Sequence, residues 1–303
     1  MAVQPLVSVI IPTHNRAALV REAVASVLDQ TYPHLQILVV DDGSTDGTPE
    51  ALGLFGDRLQ VLRHSCRRGV AAARNLGIEA ARGDWLALLD SDDLWLPAKL
   101  ARQMAYLAAR PQLRICQTEE IWVRRGVRVN LPRTHRKVAG QIFLKSLERC
   151  MVSPSAVVLH RRLLMEHGAF DEALPAAEDY DLWLRLSWRY EVGLVPEPLI
   201  VKRGGHADQL SGQWGIDRFR IRALVKLLAD PELPPAYARA ARETLARKCA
   251  IYAQGCARRG KIREAGYYGQ LGLWADGQHG ADCFPGPAPA WPSHLGTEHL
   301  QSL

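Results

Sequence analysis

Asp90-Ser91-Asp92-Asp93 closes an apolar stretch, Trp85 to Leu89, that reads as a buried strand. Carboxylates crowded this closely repel one another unless a cation or a set of donors sits among them. At the carboxyl end of a strand in an open α/β sheet they would project into the crevice where ligands bind. One reading is a hard divalent ion bridging to a diphosphate. The other is an acidic loop whose Asp residues cap a helix starting near Pro97. A second acidic pair, Glu178-Asp179, opens a helix over Asp179 to Tyr190. Acids favour helix N-termini in any case, so position alone does not make Asp179 a general base. Asp181 points to another face of that helix and reads as structural, and Trp183 and Leu184 read as core.

Other polar groups recur at strand ends. Pro12, Thr13, His14 and Asn15 follow Leu6 to Ile11, and Asp41-Asp42 follows Leu35 to Val40. Arg74 and Asn75 lie in an Ala-rich helix over Gly69 to Ala81. Asp42 suits two hydrogen bonds from a base imide or a ribose. Arg74 suits a phosphate clamp or base stacking. Arg203-Gly204-Gly205-His206 has the glycines of an unusual turn. His206 there is either a solvated loop residue or a metal or diphosphate ligand.

These groups converge only if the elements between them form one sheet. The runs at 6–11, 35–40, 59–62 and 85–89 alternate with helical stretches, which predicts a doubly wound α/β arrangement. Asn15 is placed to cap the first helix, Thr45 or Asp46 the second, and Gly83 to end the third. Past Pro111 the expected elements are strands at 115–123 and 127–131 around an Arg125-Gly126 turn. A helix at 140–150 and strands at 155–159 and 197–202 follow. Helices are expected at about 214–229, 235–259 and 261–275. The expected division is 1–213, a helical extension 214–276, and a disordered Pro-rich tail 277–303.

The 303 residues carry 48% apolar and 23% charged residues and a net charge of +6, ordinary for a globular protein. Residues 215–276 hold 12 Lys and Arg against 6 Asp and Glu. That excess suits a solvated helical face or contact with an anionic membrane surface, the former being the simpler. Apolar runs fall short of the ~20 residues that span a bilayer. No secretion signal is read at the N-terminus, and the six scattered Cys suggest neither a disulfide frame nor a zinc site. The expectation is a cytoplasmic protein, with peripheral contact at the inner membrane face through the basic C-terminal helices left open. A G-x-G-x-x-G or P-loop after the first strand is absent, which argues against a dehydrogenase or P-loop enzyme. Basic residues without interleaved aromatics argue against nucleic acid as a partner.

In order, five segments resemble the family 2 glycosyltransferases of the GT-A fold: Val7 to Arg16, Asp41 to Asp46, Ala72-Ala73-Arg74-Asn75-x-Gly77, Leu89 to Asp93, and Glu178 to Trp183. They span roughly residues 6–211. One departure is His14, where Tyr is common. The resemblance implies a mixed, mostly parallel sheet flanked by helices and a nucleotide-sugar donor, UDP by family habit. It implies donor contacts at Pro12, Thr13, Asn15, Asp42, Arg74, Asp90, Ser91 and His206. It implies Mn²⁺ or Mg²⁺ at Asp90, Asp92 and His206, and Asp179 with Glu178 as the catalytic pair of an inverting hexosyltransferase. The acceptor (a saccharide, lipid-linked saccharide or protein) is not named by the sequence. A catalytically silent sugar-nucleotide or glycan binding module is the alternative.

Overall fold

The computed structural model describes residues 4–130, 132–205 and 215–277. It divides into two units, Met1–Phe219 and Arg220–Leu303. The first unit opens with β1 (Val7–Thr13), α1 (Ala17–Leu28), β2 (Leu35–Asp41), α2 (Thr48–Gly53), β3 (Gln60–Arg63), α3 (Val70–Ala80) and β4 (Trp85–Leu88). These four strands lie in the order β3-β2-β1-β4, all parallel. In-register pairing of Val7 with Leu35 and Thr13 with Asp41 brings the ends of β1 and β2 level.

Both faces of this sheet are covered, which is why the strands read as unbroken apolar runs. Val9, Ile11 and Val39 face one core with Val20 and Val24 of α1. Ile10, Leu38, Leu86 and Leu88 face the other with Ala71 and Ile78 of α3. Neighbouring residues thus alternate between two cores, as a pleated strand requires.

The doubly wound pattern ends at β4. There follow β5 (Leu94–Trp95), α4 (Lys99–Ala108), β6 (Ile115–Arg124), β7 (Val127–Val129), α5 (Phe143–Glu148), β8 (Val158–His160), α6 (Arg162–His167), α7 (Glu178–Ser187) and β9 (Gly193–Gly204). The sheet continues β4-β8-β6-β9-β5, with β8 antiparallel to β4 and β6, and β9 parallel to β6. Tyr180, Leu182, Trp183 and Leu186 bury one face of α7. The sheet is therefore mixed, with its parallel half first in the chain.

Several local expectations are corrected. Asn15 does not cap α1. It adopts φ +50, its backbone N–H donates to Ser44 Oγ, and its Oδ1 accepts from Thr45 N at 2.8 Å. Gly83 does not end α3, which stops at Ala80. A Cβ at Gly83 would lie 2.6 Å from the Leu6 carbonyl oxygen, so the residue is needed for close backbone passage. Helix α4 starts at Lys99 with no side-chain cap, so the Asp90–Asp93 run is not a capping loop. Ser155 lies in a 3₁₀ turn, Pro154–Ala156, ahead of β8. The N-cap of α2 is Gly47 and not Thr45 or Asp46, although Asp46 Oδ1 accepts from Thr48 N at 3.0 Å.

The chain continues through α8 (Asp217–Leu228), which crosses the boundary between the units, then α9 (Pro235–Ala257) and α10 (Ile262–Ala275). Within the second unit, Tyr252 and Tyr268 meet edge to face at 4.5 Å, and Gly272 faces Cys249. The expected boundary at 213–214 and the expected tail beyond Gly277 lie outside the described residues. Among the described residues, no helix is long and apolar enough to cross a membrane.

One glycine tests this fold at the site. Gly43, at φ +71, would place a Cβ 2.6 Å from the Cys66 carbonyl carbon, against backbone that cannot swing aside. Gly43→Ala is expected to lower stability by about 1–3 kcal/mol. A urea midpoint unchanged from the parent would show that the loop yields without strain.

Candidate active site

The ends of β1 and β2 are stitched by their own polar groups. Asp41 Oδ1 accepts from Ser44 N at 2.9 Å, and His14 Nδ1 bonds the Asp42 carbonyl at 2.8 Å. Asp42 is buried and its carboxylate is committed within the chain. Oδ1 takes His64 Nδ1 at 2.7 Å and Arg68 N at 2.9 Å, and Oδ2 takes Gly69 N at 2.7 Å. In this structure Asp42 therefore shapes the loop into α3. Pro12 and Thr13 are buried at the end of β1, and Thr13 Oγ1 has no hydrogen-bond partner.

Arg74 joins the two acidic clusters. It projects from α3, and its guanidinium bonds Asp90 Oδ1 at 2.7 Å and Glu178 Oε1 at 2.5 Å. Phe170 lies 5.1 Å from its charge centre. Burial works against the Arg74 charge, but Asp90, Glu178 and Asp179 outweigh it and raise its pKa. Asn75, the next residue, bonds the Phe170 carbonyl and Glu172, tying α3 to the segment before α7. Sequence positions 104 apart are thus held by a single side chain.

Glu178 is 5% exposed and gripped by Arg74. Burial, reinforced by Asp179, raises its pKa against the pull of Arg74. Of the expected catalytic pair, Asp179 is the more accessible. Its Oδ2 accepts from the Cys150 thiol at 3.3 Å, and its Oδ1 from Tyr180 N at 2.7 Å. Burial, then Asp179, pushes the Cys150 thiol up, so it stays protonated and donates. Asp181 instead pairs with Arg185 at 3.0 Å, the structural role expected of it.

The turn after β4 is closed by Asp93 N on the Asp90 carbonyl at 2.9 Å. Ser91 is buried in it. Asp92 Oδ2 meets Arg16 Nη1 at 3.0 Å. Two carboxylates on one turn offer the hard oxygen ligands that Mg²⁺ or Mn²⁺ takes, with substrate phosphate and water completing the shell. Among the described residues, no three His, Cys, Asp or Glu form a ready-made metal cage. His206, expected as the third ligand, lies outside the described residues. The donor set present fits a metal shared with a ligand better than one held by protein alone.

Further side chains surround the expected site residues, and of these Lys202 and Cys150 escaped sequence reading. Asp93 is buried, accepting from Ser155 Oγ at 2.6 Å and Arg203 N at 2.9 Å, and burial pushes it up to about 8. Lys202, on β9, donates to Ser153 Oγ at 3.0 Å. Burial opposes its charge, but Glu120, Asp93, Asp90 and Asp179 prevail and raise its pKa. Glu120 pairs with Lys137 at 2.9 Å, and Cys150 touches Asp179. Nothing about a Lys at a strand end or a lone Cys marks it in sequence. Only the crossing of β9 beside β6 brings Lys202 to the acidic turn.

The model for the family described as "Glycosyl transferase family 2" matches residues 8–168. An uncharacterized glycosyltransferase of Rickettsia bellii is 32% identical over 214 residues, 68% of this chain and 30% of that protein. The chain thus spans about a third of such longer relatives. An Escherichia coli relative, the UDP-Glc:alpha-D-GlcNAc-diphosphoundecaprenol beta-1,3-glucosyltransferase WfgD, is 33% identical over 60% of this chain and 69% of its own length. Among solved structures, Staphylococcus aureus TarS 1–349 in complex with UDP-GlcNAc superposes with TM-score 0.70 at 19% identity, covering 90% of this chain and 80% of that one. The mannosyltransferase PcManGT of Pyrobaculum calidifontis, in complex with GDP-Man and Mn²⁺, gives 0.57 at 24%, covering 90% and 87%. With this family match over more than half its length, the chain belongs to glycosyltransferase family 2 and has the GT-A fold.

Proposed function

We propose that the chain is an inverting glycosyltransferase that moves a sugar from a nucleotide-diphosphate donor to an acceptor hydroxyl, with a divalent metal at Asp90 and Asp92. The observation that carries this reading is the Arg74 bridge, which joins Asp90 of the acidic turn to Glu178, the neighbour of Asp179. A UDP-sugar is the favoured donor, because the WfgD name and the TarS complex both specify UDP. The GDP-Man complex of PcManGT keeps GDP as the competitor to be assayed.

The chemistry divides between the two ends of that bridge. A metal held by Asp90 and Asp92 would neutralise charge on the leaving diphosphate. Asp179 takes the acceptor proton as general base. Its Oδ2 already accepts one weak donor, the Cys150 thiol, which orients the carboxylate without protonating it. Arg74 adds positive charge beside the turn and holds Glu178 in place. A base facing the departing diphosphate gives one in-line displacement and inversion at the anomeric carbon.

Asp179→Asn should lower turnover by roughly 10²–10⁴ and leave the donor dissociation constant within about twofold. Turnover equal to the parent would remove Asp179 from the mechanism, and no nucleoside diphosphate released by the parent with any donor would favour the silent module. Treatment with EDTA should abolish donor hydrolysis, and Mn²⁺ or Mg²⁺ should restore it in the parent but not in Asp92→Asn. Activity that survives exhaustive chelation would exclude the metal.

Arg74→Ala should cost about 3–5 kcal/mol, because two carboxylates lose their buried partner. Glu178 then keeps its proton in the folded chain at pH values where the unfolded chain has released it. Stability should accordingly fall as pH rises from about 5 to 8, more steeply than in the parent. Adding Glu178→Gln should flatten that pH dependence. Equal slopes in urea titrations of the single and double variants would refute the assignment.

A further inference from the structure

Strand β8 reverses direction within the sheet. It runs antiparallel to β4, pairing Leu86 with Leu159 and Ala87 with Val158. The start of β8 therefore lies beside the end of β4, where the acidic turn begins. A parallel strand would have brought its carboxyl end there. What reaches the acidic turn instead is the 3₁₀ turn ahead of β8, Pro154–Ala156. Two further donors fix it in place: Trp95 Nε1 bonds the Ser155 carbonyl at 2.8 Å, and Gln103 Nε2 the Ala156 carbonyl at 3.0 Å.

Ser155 is fully buried, and its hydroxyl is used twice. Oγ accepts from Asp90 N at 3.2 Å and donates to Asp93 Oδ2 at 2.6 Å. The other Asp93 oxygen, Oδ1, accepts from Arg203 N at 2.9 Å, and the Arg203 side chain bonds the Asp92 carbonyl. Asp93 N closes the turn on the Asp90 carbonyl. The three carboxylates of the turn divide by exposure. Asp93 is 2% exposed, whereas the side chains of Asp90 and Asp92 are 28% and 14% exposed. A buried carboxylate is costly unless it is hydrogen-bonded, and an apolar side chain often fills such a space at lower cost. What Asp93 and Ser155 supply that apolar packing cannot is direction.

We propose that Ser155 is a positioning residue for the metal: through Asp90 N and Asp93 it fixes the main chain from which Asp90 and Asp92 present their carboxylates. This rests on the reading that Asp90 and Asp92 hold the cation. A hydroxyl suits the task because it accepts and donates at once. Ser155 carries no charge, so its removal alters how the turn is held and leaves the charge of the site as it was.

The test is Mn²⁺ binding to the full chain with saturating UDP, and with GDP in a parallel arm, followed by the electron paramagnetic resonance signal of free Mn²⁺. Ser155→Ala is expected to raise the Mn²⁺ dissociation constant about 10–100-fold. The Mn²⁺ concentration that half-activates turnover should rise in step, with turnover at saturating Mn²⁺ within about threefold of the parent. Ser155→Cys, with a weaker donor and acceptor, should fall between, and Ser155→Thr, which keeps the hydroxyl, should bind Mn²⁺ within about threefold of the parent. If Ser155→Ala does not fold, the Cys comparison decides. Ser146→Ala removes another buried hydroxyl, one that donates to the Ile142 carbonyl, and should leave Mn²⁺ affinity unchanged. An equal loss in Ser146→Ala would mark a general loss of packing and overturns the proposal, as does parent affinity in folded Ser155→Ala or Ser155→Cys. Asp92→Asn in the same titration separates the two readings. Loss of Mn²⁺ by Asp92→Asn but not by the Ser155 variants removes the positioning role and leaves the metal site standing. Mn²⁺ held at parent affinity by Asp92→Asn, or not bound by the parent with either nucleotide, removes the metal site and the positioning role with it.

Discussion

A single buried guanidinium holds this site together. Arg74 satisfies Asp90 on the turn after β4 and Glu178 at the start of α7, two carboxylates from halves of the sheet that differ in strand direction. Burying a charge is costly unless it is paired and hydrogen-bonded. Here one cation lies between two anions, with Asp179 a third influence. The arrangement is tolerable only as a set, since removing any member leaves the others unmatched. That interdependence fixes the distance between the acidic turn and the α7 N-terminus more firmly than apolar packing would, because hydrophobic contact is not directional.

The same logic recurs one layer further in. Asp93, Lys202, Glu120 and Lys137 run from the turn through β9 and β6 to the segment before α5. Lys202 feels Glu120, Asp93, Asp90 and Asp179 together, and Ser153 accepts one of its protons. Asp93 is neutralised from the opposite direction, by burial and by its acidic neighbours. Strand pairing therefore does more than build a core. The parallel pairing of β6 with β9 sets Glu120 opposite Ile200 and Trp122 opposite Lys202, delivering a lysine to an acidic turn more than a hundred residues earlier.

Sequence reading succeeded where chemistry and topology coincide. The apolar runs at 6–11, 35–40 and 85–89 became β1, β2 and β4, because strands buried on both faces show no alternation to confuse. Strand ends of a parallel sheet share an edge, so Thr13, Asp41 and Asp90 could be placed together without coordinates. Failures cluster where a side chain's partner is decided by tertiary neighbours. Asn15 has the composition of a helix cap, yet the β2–α2 loop claims both its amide oxygen and its backbone N–H. Asp42 could be read from sequence only as a ligand contact, yet it also accepts from His64, Arg68 and Gly69 and so shapes the loop into α3. Lys202 and Cys150 carry no local signature at all. Their roles come from a crossover and from a loop that ends beside α7.

Charge counted along the chain also hides how charge is distributed in space. The overall +6 invites a search for one basic region, and residues 215–276 supply it arithmetically. The Arg124–Arg149 stretch carries +7 as well, which leaves −7 for everything else, the acidic turn and the Glu178-Asp179 pair included. A modest net charge is thus the difference between large opposed regions. Asp179 stands at their junction, with Asp90 and Glu178 reached through Arg74 on one side and Cys150, then Arg149, on the other.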